Sequence, residues 1–230
     1  QEMNKTAQDL GMKDSHFMNA SGWPDPDHYS TAHDLALLGR AVIHDFPKYY
    51  KYDSEIEFTY NNIKQGNRNP LLYKNIGADG IKTGHTDSGG YGLIGSGTKD
   101  GRRVIMVLNG MESMDERAQE STRLLEWALN SFTNRDVVQK GMKAADAPVV
   151  MGMERSVPLI VDQDLKLTVP RLDQTAIRAE ATFKAPLEAP VAMGDKIGTL
   201  RIDIAGMNTI ELPLIAGKDI PRKGFFPALL

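Results

Sequence analysis

The sequence predicts an α+β chain of two domains, a mixed helical and stranded domain over residues 1–131 and a small all-β sandwich over residues 132–230. Two observations predict this division. Apolar residues recur at helical spacing only in the first part, and short alternating or apolar runs separated by Pro, Gly and Asp fill the second. With 230 residues, 41% of them hydrophobic, the chain can bury a core in each domain.

Composition excludes several classes of function. The formal net charge is -3 and no block of Lys or Arg occurs, so a nucleic-acid-binding surface has no support. The sequence contains no cysteine, which excludes disulfides, thiolate metal sites and a cysteine nucleophile. No pair of histidines shows a metal-ligand spacing with a carboxylate, and we expect neither a metal nor a cofactor. No apolar run approaches the roughly 20 residues of a membrane span, and the first residues do not form a signal peptide.

Two helices are predicted in the first 45 residues. Apolar residues at helical spacing before Gly11 indicate a helix over residues 1–10, which we expect to be the end of a helix that began upstream. Ser30 is a candidate N-cap for a second helix from Thr31 to His44. The apolar stripe of this second helix consists of Leu35, Leu38, Val42 and Ile43.

Strands are predicted in the middle of the first domain. Alternation from Ile56 to Tyr60, followed by Asn61-Asn62, indicates a hairpin. The segments Tyr91–Thr98 and Arg103–Leu108 are typical of strands, and Lys99-Asp100-Gly101-Arg102 between them is a turn signal. We therefore expect an antiparallel meander.

One more helix and a series of strands complete the prediction. Ser113 and Glu116 form a capping box for a helix that ends at about Phe132. After it, no long helical period occurs. Five strands are predicted in the second domain, at Ser156–Val161, Leu165–Val169, Ile177–Phe183, Ile197–Ile204 and Thr209–Ile215.

The motif with the clearest chemistry is Lys82-Thr83-Gly84, which lies within the segment Asp79–Thr86. A fixed ammonium group attracts an anionic substrate, a neighbouring hydroxyl binds its carboxylate, and a glycine lets a ligand approach the backbone closely. The same tripeptide occurs in serine enzymes that bind penicillin. It therefore suits one edge of an acyl-transfer site.

Around this motif the chain resembles the D-alanyl-D-alanine carboxypeptidases, which are low-molecular-mass penicillin-binding proteins of bacterial cell walls. The likeness runs in order through nearly all of the chain. The residues that carry it are Leu10–Phe17, Tyr29–Ala36, Asn67–Asn69 with Leu71-Leu72, Asp79–Thr86 and Gly90-Tyr91. The resemblance implies part of a penicillin-binding, β-lactamase-like transpeptidase domain. It also implies that the β domain is a pedestal or a partner-docking module.

The resemblance assigns roles to the residues of the motif. Lys82 would be catalytic, supplying positive charge and tuning the nucleophilic serine and its lysine partner. Thr83 would bind the substrate carboxylate and Gly84 would admit the substrate chain. The backbone N–H of His85 would be an oxyanion donor, whereas its side chain would shape the site.

Two arginines are substrate-binding residues by the same resemblance. Arg68 would line the site and receive the terminal carboxylate of the peptide, and the alternative is an exposed loop arginine. Arg117, in the first turn of the third helix, matches a family arginine near the catalytic cleft. Its alternative is an ordinary solvated helix residue.

Two motifs that such enzymes carry upstream of Lys-Thr-Gly are absent in that position. These are Ser-x-x-Lys, which provides nucleophile and base, and Ser-x-Asn. Ser96-Gly97-Thr98-Lys99 fits the first pattern but follows Lys82 on a predicted strand, and Tyr60-Asn61-Asn62 mimics a variant of the second in a hairpin turn. We discount both. The chain therefore resembles the C-terminal part of an enzyme, and we expect the segment with the nucleophile, roughly half of the catalytic domain, to be missing or carried on another chain.

The resemblance implies a serine-type carboxypeptidase that removes the terminal D-alanine of peptidoglycan stem peptides and is inhibited by β-lactams. It places the protein in the periplasm, peripheral to the inner membrane, with membrane contact through a C-terminal helix that this sequence does not include. Two alternatives remain. One is a catalytically inert module that binds the cell wall or another protein, and the other is a β-lactamase, against which the β domain argues.

Overall fold

The structure is a computed structural model that describes residues 1–171 and 177–224. It divides into two compact units, Gln1–Thr133 and Asn134–Leu230. The sequence placed the division after residue 131. Helices and strands both occur in the first unit and the second is built of strands, which confirms the predicted α+β class. None of the helices in the described part of the chain is long and apolar enough to cross a membrane.

The first unit is built on a three-stranded antiparallel sheet in the order β3–β4–β5. These strands are Ala78–Thr86, Gly90–Lys99 and Arg102–Met111. The predicted meander is thus confirmed, and Lys82 lies in the middle of its first strand. Asp100 and Gly101 have φ angles of 51° and 73°, which is how a two-residue turn reverses the chain without splaying the strands.

Two helices cover the sheet, α2 (Ala32–Asp45) and α4 (Met114–Asn130). Helix α2 approaches so closely that a Cβ added at its Gly39 would lie 3.2 Å from the side chain of Ile94. The next residue along the strand in the opposite direction, Leu93, packs in a buried cluster with residues of α4. Because adjacent strand residues point to opposite faces, α2 and α4 lie on opposite sides of the sheet. The cluster on the α4 side consists of Leu71, Leu93, Met106, Leu125 and Leu129.

The helix ends have the expected capping residues, but one predicted N-cap has to be corrected. The N-cap of α2 is Thr31, whose hydroxyl accepts the backbone N–H of Asp34, and the prediction of Ser30 as N-cap was wrong by one residue. Ser113 caps α4 as predicted, accepting the N–H of Glu116. Gly11, with a φ angle of 82°, follows the end of α1 (Glu2–Asp9).

The predicted hairpin is confirmed as β1 (Glu57–Tyr60) and β2 (Ile63–Gly66). Asn61 and Asn62 turn the chain with φ angles of 48° and 60°, which asparagine tolerates better than most residues. Every residue of both strands is exposed. Short helical segments flank this hairpin: α3 (Pro47–Tyr50) and two 3-10 turns at Lys51–Ser54 and Pro70–Tyr73.

The second unit contains the five predicted strands and three that the sequence did not indicate. The predicted ones are β8 (Ser156–Val161), β9 (Leu165–Pro170), β10 (Ile177–Phe183), β12 (Lys196–Ile204) and β13 (Ile210–Ala216). The others are β6 (Phe132–Val138), β7 (Lys143–Val150) and β11 (Leu187–Glu188). Strand β7 is rich in alanine and contains Pro148, so its inward face carries few bulky apolar side chains that could reveal a strand.

A single apolar core holds the second unit together. A six-stranded sheet runs in the order β10–β12–β13–β8–β7–β11, and β6 pairs with β9 in a second sheet. Val157, Leu159, Ile202 and Leu214 of the larger sheet are fully buried. Val138 of β6 belongs to the same core cluster. The two sheets therefore share one core, as in a sandwich.

Because this core needs no side chain of the first unit, residues 134–230 should fold alone. We expect the fragment to give a β-type circular dichroism spectrum and a cooperative denaturation curve. Leu214→Ala should lower its free energy of unfolding by about 2–5 kcal/mol, since Leu214 is fully buried. Met207→Ala, at an exposed position, should change it by less than about 0.5 kcal/mol. A helical spectrum or a non-cooperative transition would refute the independent core.

Candidate active site

The Lys-Thr-Gly motif lies on strand β3, where Thr83 pairs with Leu93 and Gly84 with Gly92 of β4. A cavity of about 420 Å³ opens over this stretch. Four of the predicted site residues line it together, namely Lys82, Thr83, Gly84 and His85, and Ser30 and Asn109 also contribute to its wall. The structure therefore brings the motif to one open cavity.

Lys82 provides an available positive charge in this cavity. Its side chain is exposed, and its ammonium group donates to the backbone carbonyl of Thr83 at 2.6 Å. Within residues 1–171 and 177–224, no carboxylate forms an ion pair with it. The charge is consequently free to attract an anionic ligand.

Gly84 leaves the backbone accessible. A Cβ added at this position would meet no atom within 4 Å, so packing of the chain itself does not require glycine here. Its partner Gly92 differs, because a Cβ there would lie 2.6 Å from the side-chain oxygen of Asn109. The open space at Gly84 is what close approach of a ligand needs.

His85 is held against an aromatic ring. The centroids of the His85 and Tyr91 rings lie 4.0 Å apart with their planes 32° from each other, and the two residues pair across β3 and β4. His85 is exposed. The role that the resemblance implies for this side chain, shaping the site, stays a prediction.

Arg117 also lies near the Tyr91 ring. Its guanidinium carbon lies 5.5 Å from the centroid of the Tyr91 ring. The residue is only 6% exposed, its Nε has no hydrogen-bond partner, and no carboxylate in the described part of the chain pairs with it. Burial lowers the pKa of its guanidinium, although the nearby Tyr91 opposes this effect. The alternative of a solvated helix residue is therefore wrong, and substrate binding stays a prediction.

Arg68 lies on an exposed loop and is not part of the cavity wall. Its neighbours hold the loop: the Asn67 amide donates to the Glu55 carbonyl at 2.9 Å, and Asn69 is 1% exposed. Arg117 does not line the cavity either. The structure thus joins neither arginine directly to the Lys82 cavity, and their roles remain predictions.

Ser96 is a structural residue in this fold. It is fully buried, and its hydroxyl accepts a hydrogen bond from Arg103 at 2.6 Å. Lys99 bonds instead to the side chain of Asn130. Residues three apart on a strand point to opposite faces, so Ser96 and Lys99 cannot meet as nucleophile and base.

Sequence reasoning missed the cluster that anchors the start of β3. Asp79 forms an ion pair with Arg103 of β5 at 2.8 Å and accepts the hydroxyl of Tyr50 at 2.6 Å. Burial opposes ionisation of Asp79, but the hydrogen bonds from Arg103 and Tyr50 outweigh it and lower the pKa of this carboxyl. Burial and the hydrogen bond to Asp79 raise the pKa of Tyr50. Only the position of Asp79, three residues before Lys82, could have drawn attention to it.

Known protein families match both units of the chain. The family model described as D-alanyl-D-alanine carboxypeptidase matches residues 1–113, and the model described as penicillin-binding protein 5, C-terminal domain, matches residues 132–222. D-alanyl-D-alanine carboxypeptidase DacA of Escherichia coli K12 is 36% identical over 230 residues, which cover 99% of this chain and 57% of the relative. DacD of the same strain is 33% identical over 229 residues, covering 99% and 59%.

Solved structures agree with these matches. Penicillin-binding protein 5 from Haemophilus influenzae gives a TM-score of 0.77 at 36% identity, over 96% of this chain and 65% of that one. The D-alanyl-D-alanine carboxypeptidase DacD from Francisella tularensis gives 0.78 at 28% identity, over 96% and 68%. The chain therefore belongs to the D-alanyl-D-alanine carboxypeptidase family of penicillin-binding proteins. It spans just over half the length of the carboxypeptidases DacA and DacD of E. coli.

The anchoring cluster predicts how stability depends on pH. A carboxyl whose pKa is lower in the folded state stabilises the fold above its unfolded pKa of about 3.9, and this contribution is lost as the pH falls through the folded value. We expect the free energy of unfolding of the chain to decrease below about pH 4, and Asp79→Asn to make this decrease smaller. Denaturant titrations at pH 3 to 7 measure both effects. Asp53→Asn is the control, because burial raises the pKa of Asp53, so its removal should not reduce the acid sensitivity.

Proposed function

We propose that this chain is the C-terminal part of a serine-type D-alanyl-D-alanine carboxypeptidase. The observation that carries the proposal is the cavity over β3, where a hydroxyl and an open glycine lie beside an ammonium group that has no carboxylate partner among the described residues. These are the groups that an anionic peptide end requires. Family membership supports the same reaction class.

The proposed reaction proceeds through an acyl-serine. A serine hydroxyl on the N-terminal segment, which this chain does not include, attacks the carbonyl carbon of the penultimate D-alanine. The C–N bond to the terminal D-alanine breaks, and the amine leaves with the proton that the serine gave up. Water then cleaves the ester and releases the shortened peptide.

In this scheme β3 provides the electrostatics of the site. Lys82 attracts the substrate carboxylate and stabilises negative charge, and Thr83 donates a hydrogen bond to that carboxylate. Strand β3 is at the edge of its three-stranded sheet, so alternate backbone N–H groups point away from β4. The N–H of His85 is our candidate oxyanion donor.

The two arginines would assist in binding the anionic end of the peptide. A buried guanidinium without a carboxylate is costly, which is consistent with Arg117 gaining an anion when substrate binds. The Tyr91 ring lies near both Arg117 and His85, and through it Arg117 would be linked to the cavity wall that His85 helps to form. Arg68 would contribute from its exposed loop.

The wider setting follows from this reaction. Its substrate is peptidoglycan, which places the protein in the periplasm, and we propose that β-lactams acylate the complete enzyme. Penicillin-binding protein D2 of Listeria monocytogenes, 34% identical over 54% of this chain with a TM-score of 0.51, was solved in a cefotaxime-bound form. Contact with the inner membrane would come from a C-terminal helix outside this sequence.

One specific observation favours the alternative of an inert module that binds the cell wall or a protein. No Ser-x-x-Lys precedes Lys82 in this chain, so the chain by itself has no nucleophile for the proposed reaction. A β-lactamase is disfavoured, because residues 132–222 match the C-terminal domain of penicillin-binding protein 5.

Replacing Lys82 tests the proposed role of β3. In the chain joined to the N-terminal segment of a relative such as DacA, Lys82→Ala should reduce the rate of penicillin acylation by about 100-fold or more, since one stabiliser of developing charge is lost. Stopped-flow labelling with a fluorescent penicillin measures the rate. Lys99→Ala, away from the cavity, is the control. Acylation within a few-fold of the parent in the Lys82 variant would overturn the assignment.

The isolated chain gives a second test. Without the N-terminal segment it should neither become labelled by a fluorescent penicillin nor release D-alanine from a D-Ala-D-Ala peptide, because no serine is placed to attack. Supplying the segment should restore both reactions. Stoichiometric labelling of the isolated chain at Ser96, located by mass spectrometry, would make Ser96 the nucleophile and refute our interpretation. If the segment restores neither reaction, the inert module is favoured.

A further inference from the structure

A second cavity, of about 480 Å³, opens beside the Lys82 cavity at the turn between β3 and β4. The two cavities share Thr86 and Gly89 as wall residues. The far wall of the second one is the loop from Gly22 to His28. A ligand that leaves the Lys82 cavity past Thr86 therefore enters this space.

The loop that forms this wall presents an aromatic surface on a fixed backbone. The side-chain oxygen of Asn19 accepts the backbone N–H groups of Gly22 at 2.8 Å and Trp23 at 3.0 Å, and its amide donates to the Trp23 carbonyl at 2.9 Å. Trp23 is nevertheless 76% exposed. An indole that is held by its backbone yet not buried is available for contact with a ligand.

Asp25 adds a negative charge to the same cavity. One of its carboxylate oxygens accepts the backbone N–H of Asp27 at 2.8 Å. No lysine or arginine in residues 1–171 and 177–224 forms an ion pair with Asp25. A carboxylate beside an indole suits an alkyl chain that ends in an ammonium group, because the carboxylate and the indole face attract the cation while the chain covers the ring.

The proposed function, on which this inference rests, sets the direction of the substrate. If Thr83 holds the terminal carboxylate and the N–H of His85 holds the scissile carbonyl, the acyl part of the peptide continues towards Thr86 and Gly89. An extended chain advances about 3.3 Å per residue. The residue just before the two D-alanines then reaches the second cavity.

We propose that the cavity formed by Trp23, Asp25 and Thr86 binds the side chain of the stem-peptide residue that precedes the two D-alanines. It selects a long alkyl chain that ends in a free amine. The alkyl part packs on the indole of Trp23, and the ammonium group pairs with the carboxylate of Asp25. This contact makes Trp23 and Asp25 specificity-determining residues.

Binding to the 230-residue chain tests this proposal without catalysis. The sequence contains two tryptophans, so Trp127→Phe leaves Trp23 as the only indole reporter. We would titrate this variant with Ac-Lys-D-Ala-D-Ala and with the same peptide acetylated on the lysine side chain. The free amine should bind about fivefold more tightly and change Trp23 fluorescence saturably, and the preference should shrink at 1 M salt.

Matched variants separate this proposal from the proposed function. Asp25→Asn keeps the acceptor for the Asp27 N–H and should abolish the preference for the free amine. Asp27→Asn, next to the cavity but not in its wall, should preserve it. Lys82→Ala should weaken both peptides alike. If both peptides bind equally, or if neither binds, the inference is wrong; the proposed function is decided separately, by the acylation rate of the Lys82 variant of the chain joined to the N-terminal segment.

Discussion

The ion pair between Asp79 and Arg103 is the constraint on which the candidate site depends. Strand β3 is paired on one side only, by β4, so its position along the sheet needs a second anchor. Arg103 supplies one from β5, and it also donates to Ser96 of β4 at 2.6 Å. One guanidinium thus links all three strands just before Lys82. The positions of the Lys82, Thr83 and Gly84 groups in the cavity depend on this placement of β3.

The charged groups near the site differ in whether a carboxylate compensates them. Arg103 is compensated by a carboxylate at 2.8 Å, whereas Arg117 is buried with no carboxylate in the described part of the chain. Locally unfavourable groups of this kind are expected mainly at functional or strained sites. Lys82 likewise forms no ion pair with a carboxylate of the described residues, but its side chain is exposed, so its charge costs little free energy.

The two units differ in the size and position of their apolar cores. The second unit has one apolar core shared by two sheets, and its strand β8 alternates buried residues with more accessible ones. The first unit has a smaller apolar cluster on one face of its sheet and an entirely exposed hairpin at Glu57–Gly66. The core of the second unit is thus built from its own strands, whereas the sheet of the first unit carries a smaller buried cluster.

The sequence by itself determined the local features of this protein. Turn residues at Asn61-Asn62 and Asp100-Gly101, the Ser113 cap and the alternation of β8 each depend on neighbours along the chain, and all were predicted. Family membership was also evident from ordered motifs. The Lys-Thr-Gly motif indicated the part of the cavity wall that β3 forms, because Lys82 to His85 are adjacent in sequence, whereas Ser30 and Asn109 come from distant parts of the chain.

Only the tertiary structure decided which distant side chains meet. Asp79 and Arg103 are 24 residues apart, and their ion pair depends on the register of three strands, which no local pattern specifies. The burial of Arg117 against Tyr91 likewise depends on how α4 packs on the sheet, and helical periodicity alone left it equally compatible with solvent. Strand β7 was missed because its alanines give a weak pattern until packing buries them. Local signals specify elements, whereas register and packing decide the chemistry between them.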